Sequence, residues 1–211
     1  MKALENLEIL VVDDHSIVRE GMRHVLEQDG ARVSEAATGE EALAKASAER
    51  FDVLLIDISL PGRGGLETIS DLRSSGSRVP ALVVSMHPEE SYAVRALKVG
   101  AQGYLPKSAA ATEIVTAVGV LASGRRYLTP AATEHLAASV GSGDRKPHEA
   151  LSNREFEVFR LLGSGRSLGE TANLLGISPK TVSTLRERIL RKTGLGGNME
   201  IVRYALENRL A

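Results

Sequence analysis

The stretch Phe51-Asp52-Val53-Leu54-Leu55-Ile56-Asp57-Ile58-Ser59-Leu60-Pro61 decides how the first half of the chain is interpreted. Its centre is a short, unbroken apolar run, typical of a strand buried on both faces in a parallel sheet covered by helices. Asp57 stands where that strand would end, and Pro61 and three glycines break the chain soon after it. In open α/β sheets, ligands bind at the carboxyl ends of the strands. Taken alone, Asp57 is still more simply a loop cap than a chemical group.

Further apolar runs on both sides of this stretch alternate with segments of helical spacing. The predicted strands cover residues 9–12, 31–36, 53–56, 81–84 and 102–105. The predicted helices begin at Ser16 as a cap and at Thr38 or Gly39, and then cover 66–73, 91–99 and 109–122. Five successive β–α units predict an α/β fold: a doubly wound parallel sheet with helices on both faces. No glycine-rich nucleotide-binding fingerprint follows the first strand.

Polar residues follow four of the predicted strands. They are Asp13, Asp14, Asp57, Ser85 and Lys107. At one edge of a parallel sheet, the three carboxylates would repel one another, and a hard cation such as Mg²⁺ would relieve that repulsion. With an ammonium and a hydroxyl available for a mobile anion, the set predicts in-line phosphoryl transfer with Asp57 as the nucleophile. The alternative is a purely structural cluster of salt bridges.

Four motifs carry a family resemblance across residues 7–123. They are Val11-Val12-Asp13-Asp14-His15, Asp57 with Pro61 four positions later, Ser85-Met86-His87, and Gly103-Tyr104-Leu105-Pro106-Lys107. At this spacing they resemble the receiver domain of bacterial two-component response regulators, which has a flavodoxin-like (βα)5 fold.

The resemblance implies a role for seven residues. Asp57 would be the phosphoacceptor; Asp14, Asp57 and the backbone carbonyl of Ser59 would bind Mg²⁺, with Asp13 acting through water; Ser85 and Lys107 would hold phosphoryl oxygens; and Tyr104 would move when Ser85 moves. The phosphodonor would be a sensor histidine kinase. A rival interpretation is a Mg²⁺-dependent phosphohydrolase. Such enzymes commonly need a second acid two residues after the nucleophile, and this chain has Ser59 there.

Charge and composition divide the chain into two parts. Residues 145–211 carry twelve Lys/Arg and seven Asp/Glu, a net charge of +5, whereas residues 1–144 carry 14 and 20, a net charge of −6. A basic second module suggests an anionic polymer as its partner. Prolines, glycines and polar residues predict a linker over residues 124–147, with a possible helix over 131–140 and a flexible hinge over 141–147.

Residues 148–211 show the pattern of four short helices. Ser152 with Glu155 forms a predicted capping box, Ser167 caps a second helix, and Ser178-Pro179 starts a third. The fourth helix is predicted over 199–210. Two short helices separated by a glycine turn, the second basic and polar outside, indicate a helix-turn-helix. The alternative is a plain helical bundle with a solvated basic face.

The second module resembles the LuxR-type output domain of the NarL/FixJ response regulators. The matching pieces are Leu-Ser-x-Arg-Glu-x-Glu-Val, Gly-Ile-Ser-x-Lys-Thr-Val, Ile-Leu-x-Lys and Val-x-Tyr-Ala-Leu. The predicted contacts to double-stranded DNA are Lys180, Thr181, Ser183, Thr184, Arg186, Arg188, Arg191 and Lys192. Leu185, in place of a frequent His or Tyr, and Glu187 depart from the basic pattern. The resemblance implies a cytoplasmic transcriptional regulator that acts as a homodimer when phosphorylated. A regulator whose receiver acts without phosphate is the remaining alternative.

Composition excludes several other classes of protein. The 211 residues contain no Cys, so disulfides, thiolate metal sites and cysteine nucleophiles are ruled out. The amino terminus has no long apolar run and is not predicted to be a signal peptide. We also expect no transmembrane segment, because no apolar run is long enough to cross a bilayer.

Overall fold

The computed structural model describes residues 3–141 and 146–210. The chain divides into two compact units, with the boundary between Val140 and Gly141. Among the helices described, none combines the length and the hydropathy needed to span a membrane.

A five-stranded parallel sheet forms the centre of the first unit. Its strands are β1 (Glu8–Val12), β2 (Arg32–Ala36), β3 (Val53–Ile56), β4 (Ala81–Ser85) and β5 (Gly103–Pro106). Their order is β2-β1-β3-β4-β5, and every neighbouring pair is parallel. All residues of β3 and β4 are buried, as the unbroken apolar run predicted for β3. The predicted doubly wound α/β fold is therefore confirmed.

In the part of the chain that the structure describes, six helices accompany this sheet, and the last of them ends at the boundary of the unit. They are α1 (Ser16–Gln28), α2 (Gly39–Ala48), α3 (Gly65–Ser74), α4 (Glu89–Lys98), α5 (Ala111–Ala122) and α6 (Pro130–Gly141). One predicted cap is wrong: His15 is the N-cap of α1, and Ser16 is its first helical residue. The reason is local, because the His15 backbone N–H donates to Asp13 Oδ1 at 2.9 Å and so ends the extended loop one residue earlier. Thr38 caps α2, as predicted.

The segment after α5 contains the helix predicted over 131–140, which the structure places at Pro130–Gly141 as α6. The proposed hinge over 141–147 lies mostly outside the described residues. The division into a receiver of 7–123, a linker of 124–147 and a DNA-binding domain of 148–211 stays a prediction.

The second unit is helical throughout its described part. A 3-10 turn at Pro147–Ala150 precedes α7 (Asn153–Gly163), α8 (Leu168–Leu175), α9 (Pro179–Thr193) and α10 (Asn198–Glu207). Ser152 and Ser167 both form complete capping boxes with the glutamate three residues later. Gly176 ends α8 with φ 62°, a left-handed conformation that favours glycine. This glycine turns the chain between the two helices of the predicted helix-turn-helix.

Candidate functional site

The carboxyl ends of the sheet strands bring Asp13, Asp57 and Lys107 together. The Lys107 ammonium lies 2.9 Å from Asp57 Oδ2 and 2.6 Å from Asp13 Oδ2. Asp57 Oδ1 accepts from the backbone N–H of Ile58 at 2.7 Å. Both carboxylates are almost completely buried, with 1% and 4% exposure for Asp13 and Asp57. Three of the five side chains that the sequence assigned to one cleft are therefore joined by ion pairs.

The charges of this cluster do not balance. Burial by itself lowers the pKa of Lys107, but hydrogen bonds and charges from Asp13 and Asp57 outweigh it and raise the pKa above its ordinary value. One ammonium therefore faces two buried carboxylates. Asp13 Oδ2 makes no hydrogen bond of regular geometry, although the ammonium is close to it. A cluster with surplus negative charge favours a further cation.

Asp14 lies on the open side of the same cluster. His15 Nδ1 is 2.7 Å from Asp14 Oδ1 and 3.3 Å from Asp13 Oδ1. One potential ligand atom from each of these three residues lies within 4.8 Å of the others. The oxygen-rich donor set suits a hard divalent cation such as Mg²⁺, while His15, which is 65% exposed, faces solvent. Asp13 and Asp14 thus offer oxygen ligands that suit the predicted metal site, and Asp57 is joined to Asp13 through Lys107.

Ser85 and Tyr104 lie beside the acidic cluster on β4 and β5. The Ser85 hydroxyl accepts from the His87 backbone N–H at 3.3 Å. Tyr104 is fully buried, and its hydroxyl donates to the His87 carbonyl oxygen at 2.7 Å. Burial raises the pKa of Tyr104, so it is the neutral phenol that makes this contact. The two predicted switch residues are therefore linked in the structure.

Two residues at this edge make contacts that the sequence did not predict. His87 Nε2 lies 2.8 Å from Ser59 Oγ, and its ring stacks on Tyr92 with 4.6 Å between the centroids. Gly65 leaves space for the chain that follows Asp57, because a Cβ at Gly65 would overlap the Asp57 carbonyl oxygen. The glycine cluster after β3 was visible in the sequence, but no local pattern connects His87 with Ser59.

Helices α8 and α9 carry the predicted nucleic-acid interface. The Ser178 hydroxyl accepts from the Thr181 backbone N–H at 3.1 Å, which confirms the predicted start of α9. Val182 and Ile189 are the buried residues of α9. The predicted DNA contacts lie on the exposed and partly exposed remainder of the same helix: Lys180, Thr181, Ser183, Thr184, Arg186, Arg188, Arg191 and Lys192. The helix therefore separates an apolar side from a basic side.

Two of the predicted basic contacts, Arg186 and Lys192, have side-chain partners on other helices of the unit. Arg186 Nε donates to Asn198 Oδ1. Lys192 Nζ lies 2.6 Å from Glu155 Oε2, and Glu155 is only 3% exposed. Burial alone would raise the pKa of Glu155, but hydrogen bonds from Lys192 and Ser152 hold it below the usual value of 4.5. Lys192 thus joins α9 to the start of α7.

Two family models match the chain. Residues 9–119 match the response regulator receiver domain, and residues 149–205 match the bacterial regulatory proteins of the luxR family. Response regulator UvrY of Escherichia coli (strain K12) is 34% identical over 208 residues, covering 97% of this chain and 95% of that protein. Response regulator GacA of Pseudomonas aeruginosa is 32% identical over 206 residues, covering 96% of each.

Solved structures give the same result. RcsB from Salmonella enterica serovar Typhimurium, bound to promoter rprA in the presence of phosphomimetic BeF3-, has a TM-score of 0.63 at 26% identity and covers 94% of this chain and 98% of its own. The response regulator ChrA of a heme-sensing two-component system has a TM-score of 0.54 at 31% identity, with 99% and 100% coverage.

Proposed function

The chain belongs to the two-component response regulators with a LuxR-type DNA-binding domain, and on that premise we propose that phosphorylation of Asp57 by a sensor histidine kinase controls how it binds promoter DNA. Its relatives are regulators of this kind and not a family of turnover enzymes. The observation that carries the proposal is the ammonium of Lys107 bridging two buried carboxylates at the ligand-binding edge of the sheet.

In the proposed transfer, the Asp57 carboxylate attacks phosphorus, the P–N bond to the kinase histidine breaks, and an aspartyl phosphate forms. Asp57 Oδ1 is occupied by the Ile58 N–H, so Oδ2, the oxygen that faces Lys107, is the nucleophile. Lys107 then transfers its ion pair from Asp57 Oδ2 to a phosphoryl oxygen. Its pKa above the ordinary value keeps it positively charged throughout.

Magnesium is the cofactor that we propose for this step. Asp14, Asp57 and the Ser59 backbone carbonyl would hold the ion, with Asp13 acting through water. When bound, Mg²⁺ neutralises the charge that develops on the transferring phosphoryl group. Without it, Asp13 and Asp57 share the single ammonium of Lys107.

The Ser85 hydroxyl is the proposed sensor of the phosphoryl group. By donating a hydrogen bond to a phosphoryl oxygen, Ser85 leaves its present partner, the His87 backbone N–H. Tyr104, whose hydroxyl donates to the carbonyl oxygen of the same His87, can then move with this segment. Because only the phosphorylated form offers Ser85 and Lys107 these contacts, phosphorylation shifts the receiver between two states.

The basic side of α9 is the proposed DNA-reading surface, placed in the major groove. RcsB, of the same architecture, is bound to a promoter in its solved structure with a phosphomimetic. A short recognition helix reads few base pairs, so useful affinity calls for a homodimer on two half-sites. Promoter DNA as the target also makes the cytoplasm the proposed location.

The test combines intact-mass measurement with footprinting on genomic DNA, using the full-length chain with and without acetyl phosphate and Mg²⁺. The wild-type protein should gain one phosphoryl group and change its footprint. Asp57→Asn should lose at least about 100-fold in phosphorylation rate, because the nucleophile is gone, and its footprint should not respond.

Asp52→Asn is the matched control, because Asp52 immediately precedes the same strand and its Oδ2 accepts from the Glu8 N–H outside the cluster. It should behave as the wild type. If Asp57→Asn took up phosphate at the wild-type rate, the site assignment would be wrong. If the wild type were phosphorylated with no change in its footprint, a receiver that acts without phosphate would be the better interpretation.

A further inference from the structure

The chain segment after α5 runs along the free edge of β5. The Tyr127 N–H donates to the Gln102 carbonyl oxygen at 3.0 Å, and Tyr127 forms a parallel bridge with Gly103. Gly103 permits this approach, because a Cβ there would lie 2.9 Å from the Tyr127 carbonyl oxygen. The Tyr127 hydroxyl also donates to Glu113 in α5 at 3.3 Å. These contacts fix the position of the chain just before α6.

Thr129 makes two hydrogen bonds with a single hydroxyl. Its Oγ1 accepts from the Ala132 N–H at 3.1 Å, which is the N-cap interaction of α6, and it donates to Glu89 Oε1 in α4. A hydroxyl has one proton to donate and lone pairs that accept. Because the Glu89 carboxylate accepts this hydrogen bond, the lone pairs of Thr129 Oγ1 are oriented toward the amino terminus of α6.

Helix α6 depends on such support. It has twelve residues, Pro130–Gly141, with four alanines. Isolated helices shorter than about 12–15 residues are marginal in water, and an N-cap is one of the strongest local contributions to their stability. Ala132, in the first turn, is 1% exposed and therefore packed. We expect the loss of the N-cap to destabilise this first turn before the rest of α6.

Glu89 is also close to the proposed switch. It is the first residue of α4, two residues after His87, and the His87 carbonyl is the oxygen that accepts from the Tyr104 hydroxyl. The His87 N–H in turn donates to Ser85. A continuous series of hydrogen bonds and two peptide units therefore connects Ser85 with Thr129.

We propose that Glu89 is a positioning residue that couples the receiver switch to α6. Glu89 holds the Thr129 hydroxyl in the orientation that caps α6. It does so only while Ser85 and Tyr104 keep the arrangement seen here. This inference rests on the proposed phosphorylation of Asp57. When Ser85 turns to the phosphoryl group and Tyr104 moves, the hydrogen bond from the Tyr104 hydroxyl to the His87 carbonyl breaks. The start of α4 then shifts, and the Glu89–Thr129 hydrogen bond breaks. The first turns of α6 then fray. Because α6 ends at Gly141, where the second unit begins in the sequence, its order is the signal that passes along the chain.

The test is hydrogen–deuterium exchange of the α6 amides in the full-length chain, with and without acetyl phosphate and Mg²⁺. In the wild type, phosphorylation should make the first two turns of α6 exchange about fivefold faster, the effect expected for loss of one N-cap. Glu89→Ala should exchange at this faster rate without phosphodonor and show no further change with it. Thr129→Val should match Glu89→Ala, whereas Thr129→Ser keeps the hydroxyl and should match the wild type.

Glu90→Ala is the control variant, because Glu90 is the next residue of α4 and is exposed. It should exchange as the wild type does. Wild-type exchange in Glu89→Ala, or unchanged α6 exchange in a wild-type protein whose mass shows a phosphorylated Asp57, would overturn the coupling alone. Failure of Asp57 to take up phosphate would instead overturn the proposed function and the coupling with it.

Discussion

Lys107 in the receiver unit and Lys192 in the helical unit have the same side chain and, from the sequence, the same expected task of holding phosphate oxygens. Both ammonium groups lie 2.6 Å from a buried carboxylate. Lys107 faces two carboxylates, Asp13 and Asp57, whereas Lys192 faces Glu155 alone. The excess of negative charge around Lys107 therefore distinguishes a site that can bind a further ligand from a structural ion pair such as that of Lys192 with Glu155.

In the helical unit, the ion pair between Lys192 and Glu155 is supported by a further hydrogen bond. Glu155 completes the capping box of α7 by accepting from the Ser152 N–H at 2.7 Å, and the same oxygen, Oε2, also accepts from Lys192. In the receiver, Asp13 Oδ2 keeps no regular hydrogen bond. We therefore expect Lys107 to change partners during function and Lys192 to keep its own.

The largest expected effect is on Lys107. Lys107→Met should slow phosphorylation of Asp57 by acetyl phosphate by about 100-fold, because the charge that stabilises the phosphoryl oxygens is lost. The rate is measured by intact mass at fixed Mg²⁺ concentration. Lys98→Met, at the exposed end of α4, is the control and should keep the wild-type rate. An unchanged rate in Lys107→Met would remove Lys107 from the transfer step.

The next effect concerns Lys192. Lys192→Met should destabilise the second unit by about 2–3 kcal/mol, less than for a fully buried pair because the lysine is partly exposed. Glu155 would remain buried without its cation, which is the cause of the loss. Urea denaturation followed by the fluorescence of Tyr204, or by helical content, measures the free energy of unfolding.

Arg191→Met, at the position next to Lys192, is the control that distinguishes an effect on stability from an effect on DNA binding. Arg191 is exposed, so its variant should keep wild-type stability and instead lower the salt dependence of DNA binding. If Lys192→Met were as stable as Arg191→Met, the ion pair would be unimportant and Lys192 would be available for phosphate.

The smallest effect is the acid dependence of the same pair. Because the pKa of Glu155 is lowered from 4.5 in the folded state, its ionised form stabilises the fold above that pH, and the contribution is lost as pH falls through the folded pKa. Glu155→Gln keeps the capping geometry but not the charge, so it should cost about 1 kcal/mol at neutral pH. The difference from wild type should shrink below pH 4.5; a difference that stays constant to the most acidic pH would contradict this origin.

Much of the fold could be predicted because its signals are local. The apolar runs and the turn residues behind them located all five strands, and the serine caps with glutamate at the third position located α7 and α8. The start of α1 was misjudged by one residue because the Asp13 carboxylate, and not Ser16, organises that turn.

The sequence predicted which residues form the site but not which of them form ion pairs with one another. Asp13, Asp57 and Lys107 were expected in one cleft, yet the sequence could not tell that the ammonium bridges both acids. The hydrogen bonds of His87 with Ser59 and of Thr129 with Glu89 join residues that are 28 and 40 positions apart. No periodic sequence pattern indicates such contacts.

Local sequence patterns were enough to predict the succession of strands and helices along the chain, the acids and the lysine at the strand ends, and the basic side of α9, because each follows from neighbouring residues and from the spacing of apolar side chains. Which carboxylate each lysine contacts, and the return of the segment after α5 to β5 and α4, depend on the folding of distant parts of the chain onto one another. The physical reason is that ion pairs and side-chain hydrogen bonds act over about 3 Å in space, whatever the separation along the chain.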